Sequence, residues 1–358
     1  MNYAEFVGWG SYLPSLVVKN KDLVRFVDTT DEWIQSRTGI KERRYSHVST
    51  GEMAWLSAEK ALASAGMLPS ALDLIILGST TANDVCPNTA SYIKNKLKAD
   101  SAAAIDLNSA CTSWLYGVAM ISDMIKAGSI KTGMVIGSER LSLGLDWNKR
   151  ESCCLFGDGA GAVVLTRSND ELGLISSRIS CVPDSREFLE IPNWGIQPGI
   201  HTNDLHLSMN FDGAAIFKRA VKSMSLDCQS VLNQAGLAIK DIDLFIPHQA
   251  NIRIINAVGS KLGIDPDKTI VTIDRFGNTS AASIPISLCE ALKSGIIKGG
   301  ETILLASFGA GLSCGAAIIK WGASTKNVKE TNFSIPSYQG GVTELLSDSF
   351  SYHGINCS

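Results

Sequence analysis

The feature that most constrains this chain is that it repeats itself at a constant offset of 170 residues. Ala61–Ile76 (ALASAGMLPSALDLII) corresponds to Val231–Ile246 (VLNQAGLAIKDIDLFI). Leu62, Ala65, Gly66, Asp73, Leu74 and Ile76 recur as Leu232, Ala235, Gly236, Asp243, Leu244 and Ile246. In both copies helically spaced apolar residues run up to a glycine, a common helix stop, and a short loop leads into an apolar strand. The same offset relates Lys131–Arg140 (KTGMVIGSER) to Glu301–Ala310 (ETILLASFGA), both strand-like. One matched block could be a chance likeness between two ordinary βα units, but two at one offset imply duplication. Helices alternating with nearly continuous apolar strands indicate an α/β protein with buried sheets. We therefore expect an N-terminal half over 1–172 and a C-terminal half over 173–321. Residues 322–358, rich in Ser, Gly, Asn and Thr with one short apolar piece at Val342–Leu346, read as an irregular surface tail.

At 358 residues the chain is too long for one small core. Its 45% hydrophobic and 19% charged content is ordinary for a soluble globular protein. A net charge of −3 gives no reason to expect a nucleic-acid partner. No stretch approaches the roughly 20 apolar residues of a membrane helix, so no membrane association is expected. Residues 1–10 lack a basic start followed by an apolar run, so they do not read as a signal peptide. The nine cysteines are scattered and odd in number. Together these features suggest a cytoplasmic protein with reduced thiols. No cysteine pair has zinc-ligand spacing, and no metal is expected.

One cysteine needs more than a packing role. Ala102–Leu107 reads as a strand and Thr112 opens a helix ended by Gly128, so Cys111 sits on the turn between them. Unpaired N–H groups and the helix dipole at such a place favour an anion and lower a thiol pKa from about 8.5. This suits a nucleophile, although a tight turn also needs a small residue. His248 leaves the strand Leu244–Ile246, where sites in α/β sheets form. Asn278 precedes the helix Ala281–Ser294. A lone His is more often structural, but a Cys, a His and an Asn at three strand–helix junctions can converge on one cleft.

The motifs at these positions closely resemble β-ketoacyl-acyl carrier protein synthase III, of the thiolase-fold superfamily. They are Thr30-Asp31-Glu32-Trp33-Ile34, Arg37-Thr38-Gly39-Ile40, the Ala110-Cys111 turn, GDGAGA at 157–162, PHQAN at 247–251, GNTSAASIP at 277–285 and SFGAGLSCG at 307–315. The resemblance spans about Ala4 to Trp321. GDGAGA alone is weak, and a strand rather than a helix follows it, which argues against a dinucleotide site. The resemblance implies a thiolase fold, two duplicated α/β halves packed as a five-layer αβαβα sandwich. It implies that Cys111 takes an acyl group from acyl-coenzyme A, and that malonyl-acyl carrier protein then loses carbon dioxide and attacks the thioester. His248 and Asn278 would stabilise the malonyl thioester oxygen. The backbone N–H groups of Cys111 and Ala310 would hold the other oxyanion, where many relatives have a third glycine in place of Ala310. Trp33, Arg37 and Arg150 would bind coenzyme A, and Lys218, Arg253 and Lys261 would meet the acidic carrier protein. A homodimer is implied, and no cofactor beyond the two substrates.

Three departures stand out. Cys86 and Cys314 replace bulky aromatic residues of short-chain relatives, which predicts a longer or wider acyl pocket unless neighbours refill the space. Ala214 replaces an Asn near the coenzyme A arm. Two other functions remain open on the sequence. One is a relative in secondary metabolism with the same trio, and the other is a non-catalytic partner of acyl carrier protein.

Overall fold

A computed structural model describes residues 2–182, 188–191 and 210–355. The duplication is visible strand by strand. The first half supplies β1 (Tyr3–Tyr12), β2 (Leu74–Gly78), β3 (Ala103–Leu107), β4 (Thr132–Glu139) and β5 (Gly159–Ser168). The second supplies β6 (Gly173–Cys181), β7 (Leu244–Pro247), β8 (Thr302–Phe308) and β9 (Ser313–Lys320). The nine lie in the order β7-β8-β9-β6-β1-β5-β4-β2-β3. Both halves thus use the same order of equivalent strands, and they meet where β1 and β6 run parallel at Ala4 and Gly173. In the second half a single bridge, Phe245 to Thr269, stands where the first half has β3.

The helices relevant here are α1 (Asp31–Thr38), α2 (Thr50–Ala65), α3 (Thr89–Leu97), α4 (Ser113–Ala127), α5 (Gly213–Ala235), α6 (Ile252–Leu262) and α7 (Ser283–Lys293). Helices α4 and α7, which start 170 residues apart, pack against strands of both halves and form the central layer. Helices α2 and α3 cover the outside of the first sheet, and α5 and α6 the outside of the second. The result is the expected five-layer sandwich. The repeated residues have mechanical reasons. Gly66 and Gly236 take left-handed backbone conformations that end α2 and α5. Asp73 accepts hydrogen bonds from the N–H groups of Lys131 and Thr132 at the start of β4, and Asp243 accepts from Thr302 at the start of β8.

Residues after Trp321 do more than drape on the surface. They run as a strap along the outside of the first half. Val328 N–H donates to Ser64 O, Phe333 meets the edge of Trp55, and Tyr338 stacks on His47. The strap ends in two short helices, Val342–Leu345 and Ser347–Tyr352, and between them they bury Leu346 and Phe350 in a core cluster with Phe26 and Trp147.

Candidate active site

Cys111 lies in a 3-10 turn, Ala110–Thr112, that continues into α4. Ala110 takes a φ of +53° to make the bend. The structure repeats this bend 170 residues later, where Ser280 has a φ of +48° in the turn Ser280–Ala282 before α7. The two bends face each other, and the Ser280 hydroxyl donates to Cys111 Sγ at 3.3 Å. Ser280 was not singled out from the sequence, although the repeat offset from Ala110 points straight to it.

His248 follows β7 and is held by its own N–H on Ala306 O at 2.8 Å. Its Nδ1 lies 2.6 Å from Ser283 Oγ, the first residue of α7. The Gln249 N–H donates to that same hydroxyl oxygen, so the Ser283 hydrogen is free to point at Nδ1. In the tautomer where Ser283 donates to Nδ1, the imidazole proton sits on Nε2. The rest of PHQAN is a brace. Gln249 donates to Pro247 O and Ile270 O and accepts from Thr272 and Ile273 N–H. Asn251 caps α6 by accepting from Arg253 N–H, and its amide donates to Arg37 O.

Asn278 is fixed on both sides of its backbone, its N–H on Leu155 O and its carbonyl on Gly157 N–H. Its Oδ1 accepts from Ser280 N–H at 2.8 Å, which leaves the Nδ2 hydrogens as donors. The GDGAGA segment therefore positions a side chain. A Cβ on Gly157 would collide with the Phe276 carbonyl. Buried Asp158 ties Ser46 and Ser142 together by accepting from both N–H groups.

Cys111, His248 and Asn278 line one cavity of about 610 Å³, together with Ser280, Phe308 and Ala310. Trp33, Arg37, Arg150, Ala214 and Arg253 line the same cavity. It thus reaches from buried His248 and Asn278 to exposed Arg37 and Arg253. The Arg150 guanidinium lies over the Trp33 ring at 4.8 Å, and its Nη1 donates to Asp28 O. Cys111 and Ala310 occupy the starts of 3-10 turns, where N–H groups have no intrahelical partner. A Cβ on Gly309 would press on Cys111 N, so glycine keeps that N–H approachable.

The electrostatics differ from the sequence expectation in one respect. Burial pushes the Cys111 thiol up to about 12, against the lowering influence of Ser280 and with a small further push from Glu139. The turn does sit at a helix start, but close enclosure by both halves wins. Burial also lowers His248 to about 3, so its imidazole is neutral at any working pH. Glu139, at the end of β4, is fully buried and its pKa is raised by burial, although Thr80 and Thr81 donate to it. Only its strand-end position marks it in the sequence.

Other expected residues fall elsewhere. Cys86 is exposed and Cys314 is buried, and neither lines the cavity. Cys314 sits in the core of the second half, where Met224, Phe308 and Leu312 fill the space. Lys218 and Lys261 are exposed on α5 and α6. Among the described residues no group of three or more His, Cys, Asp or Glu could hold a metal ion. Among them, too, no helix is long and apolar enough to cross a membrane.

Sequence models of 3-oxoacyl-[acyl-carrier-protein] synthase III match residues 105–183, and those of its C-terminal part match residues 232–321. A β-ketoacyl-[acyl-carrier-protein] synthase III 2 of Vibrio vulnificus is 45% identical over 345 residues, 96% of this chain and 95% of its own. Since 96% exceeds the share that precedes residue 322, that similarity extends into the strap. The β-ketoacyl-[acyl-carrier-protein] synthase III of Aquifex aeolicus is 43% identical over 318 residues, 88% of this chain and 99% of its own. The crystal structure of the A. aeolicus enzyme superposes with a TM-score of 0.83 at 42% identity, covering 89% of this chain and all of that one. A priming β-ketosynthase from a polyketide biosynthetic pathway gives a TM-score of 0.85 at 29% identity, covering 90% of this chain and 97% of that one.

Proposed function

The chain belongs to the 3-oxoacyl-[acyl-carrier-protein] synthase III family of acyltransferases, and from that premise we propose that Cys111 accepts an acyl group from acyl-coenzyme A for condensation with malonyl-acyl carrier protein. The observation that carries this is the convergence of Cys111, from one half, with His248 and Asn278, from the other, on a single cavity. In the first step Sγ attacks the donor thioester, and its proton leaves on the coenzyme A sulfur. Ser280 donates to the sulfur as it gains charge. The N–H groups of Cys111 and Ala310 receive the oxyanion. In the second step the malonyl unit loses carbon dioxide, and its thioester oxygen becomes an enolate. Neutral His248, with its hydrogen on Nε2, and Asn278 Nδ2 are both donors suited to that oxygen. The enolate carbon then attacks the acyl-cysteine, and Sγ departs and regains a proton. A cysteine–histidine ion pair of the protease kind is disfavoured, because a group titrating near 3 does not take the thiol proton at neutral pH.

Trp33 and Arg150, stacked together, suit an adenine, and Arg37 supplies a nearby cation. Exposed Lys218, Arg253 and Lys261 suit an acidic carrier protein. We place the enzyme in the cytoplasm as a homodimer, in keeping with the free thiols among the described cysteines. The preference for a longer or bulkier starter now rests on Cys86, which would act only from across a subunit interface.

The test is intact-mass spectrometry after incubation with acyl-coenzyme A. Wild type gains one acyl group, malonyl-acyl carrier protein then removes it, and Cys111→Ala gains none. His248→Ala and Asn278→Ala acylate but lose about 10²–10³ in condensation rate. An acyl-free wild type, as for a carrier-binding partner, overturns the proposal. The likeness to a polyketide priming enzyme favours a second reading, the same chemistry in a secondary pathway. Comparing malonyl-acyl carrier protein with malonyl-coenzyme A as acceptor, across a chain-length panel of donors, discriminates the two.

A further inference from the structure

Phe350, near the end of the strap, is completely buried, yet it lies outside the two duplicated halves. Its ring is 4.5 Å from Phe26 and 4.8 Å from Trp147, which it meets edge-on. The residue before it, Ser349, accepts a hydrogen bond from the Trp147 indole at 3.1 Å. His353 Nδ1 is 3.4 Å from Asp146 Oδ1, and its carbonyl accepts from Asn148 Nδ2. The strap therefore grips two separate backbone segments. One carries Phe26 and, two residues on, Asp28. The other carries Trp147 and, three residues on, Arg150.

Those segments are the two supports of one feature of the cavity. Arg150 Nη1 is held by Asp28 O at 3.1 Å, and the guanidinium thereby lies over Trp33. The second segment continues into Cys154, Leu155 and Phe156, which line the cavity and share a core cluster with Leu346 and Phe350. The strap's anchor is not among the residues that line the cavity. It packs instead behind the groups that do.

We propose that the C-terminal strap is a positioning element for the acyl-donor entrance, in which the Phe350 anchor fixes the Asp28 and Trp147 segments and so sets the Trp33–Arg150 pair. This rests on the reading that the cavity takes coenzyme A. The anchor spares ligand binding the cost of ordering an otherwise exposed arginine, because the guanidinium is held in place before the donor arrives. The relative that matches 96% of this chain extends into the strap, whereas the A. aeolicus enzyme uses 99% of its length on 88% of the chain. The core reaction thus has a strapless form, and the strap modifies donor binding rather than the chemistry.

The test uses the full-length protein and four substitutions. Coenzyme A binding is followed by calorimetry, and KM is measured for acyl-coenzyme A and for malonyl-acyl carrier protein. Phe350→Ala is expected to weaken coenzyme A binding and raise the acyl-coenzyme A KM about fivefold, with kcat and the carrier-protein KM unchanged. Phe350→Leu should restore most of the loss. Phe333→Ala, at the far end of the strap beside Trp55, should leave binding at the wild-type value. Should Phe350→Ala not fold, Ser349→Ala removes only the indole hydrogen bond and should shift binding in the same direction by a smaller factor. Wild-type binding in every anchor variant that folds overturns the inference. A wild-type protein that binds no coenzyme A overturns the underlying reading instead.

Discussion

Two serines decide how the reactive groups behave, and both come from the second repeat. Ser280 is the hydrogen-bond donor to Cys111 Sγ, and Ser283 presents its hydroxyl to His248 Nδ1. A hydrogen bond to a charged group is worth about 1.5 kcal/mol or more, roughly a factor of ten. Ser280→Ala should therefore slow acylation of Cys111 about tenfold. The pH dependence has a defined sign. A thiol held at about 12 is protonated throughout the working range, so its reactive fraction grows with every step up in pH. Alkylation of Cys111 by iodoacetamide should keep rising above pH 9, where an unperturbed thiol with a pKa of about 8.5 levels off. A plateau at or below neutral pH would mean that the helix start, not burial, governs the sulfur. His248, at about 3, adds no inflection in that range.

At the scale of elements, α6 shows how one cap serves two purposes. Asn251 accepts from Arg253 N–H at the start of the helix and donates to Arg37 O at the end of α1. Loss of a cap costs about 1 kcal/mol, which is about 1–2 °C of melting temperature in a protein of 358 residues. Asn251→Ala should show that drop in a thermal melt. Asn251→Ser keeps a capping oxygen but is too short to reach Arg37, so its melt should stay near wild type while the acyl-coenzyme A KM rises. Equal melting losses in both variants would show that the Arg37 contact, not the cap, holds the helix. This level of organisation was largely legible in the sequence. Gly66, Gly236, Asp73 and Asp243 announce helix stops and strand starts by local chemistry, and Cys111, His248 and Asn278 stand at junctions those signals define. What escaped depends on contacts between distant segments. Enclosure of Cys111 by the opposite half raises its pKa, and the filling around Cys314 removes it from the cavity. The strap escaped because its few anchors, Phe333, Leu346 and Phe350, are diluted by polar residues, and the socket for Phe350 is made by Phe26 and Trp147 far away in sequence.

For the whole molecule, the two outer edges of the sheet are unequal. In the second half the position beyond β7 is occupied by the Thr269 bridge and by Ile270, whose N–H donates to Phe245 O. In the first half β3 is a regular strand that pairs with β2 on one side and ends the sheet on the other. Ile105 in the middle of β3 is 37% exposed, and Val85, beside Cys86, is 81% exposed. A regular strand edge with an exposed apolar side chain is a template for pairing with another strand. Pairing with the same strand of a second copy about a two-fold axis satisfies it symmetrically. This edge is therefore the surface that the proposed homodimer would use, and pairing there would bring Val85 and Cys86 toward the partner. A charge at the centre of the edge opposes pairing. Ile105→Arg should convert a species of two chains into one of 38.2 kDa in sedimentation equilibrium, whereas Ile105→Val should leave the dimer intact. If Cys86 lies against the partner's acyl pocket, the monomeric variant should also lose its discrimination between short and long acyl donors. A dimer that survives Ile105→Arg would place the interface on another face and detach Cys86 from any part in donor choice.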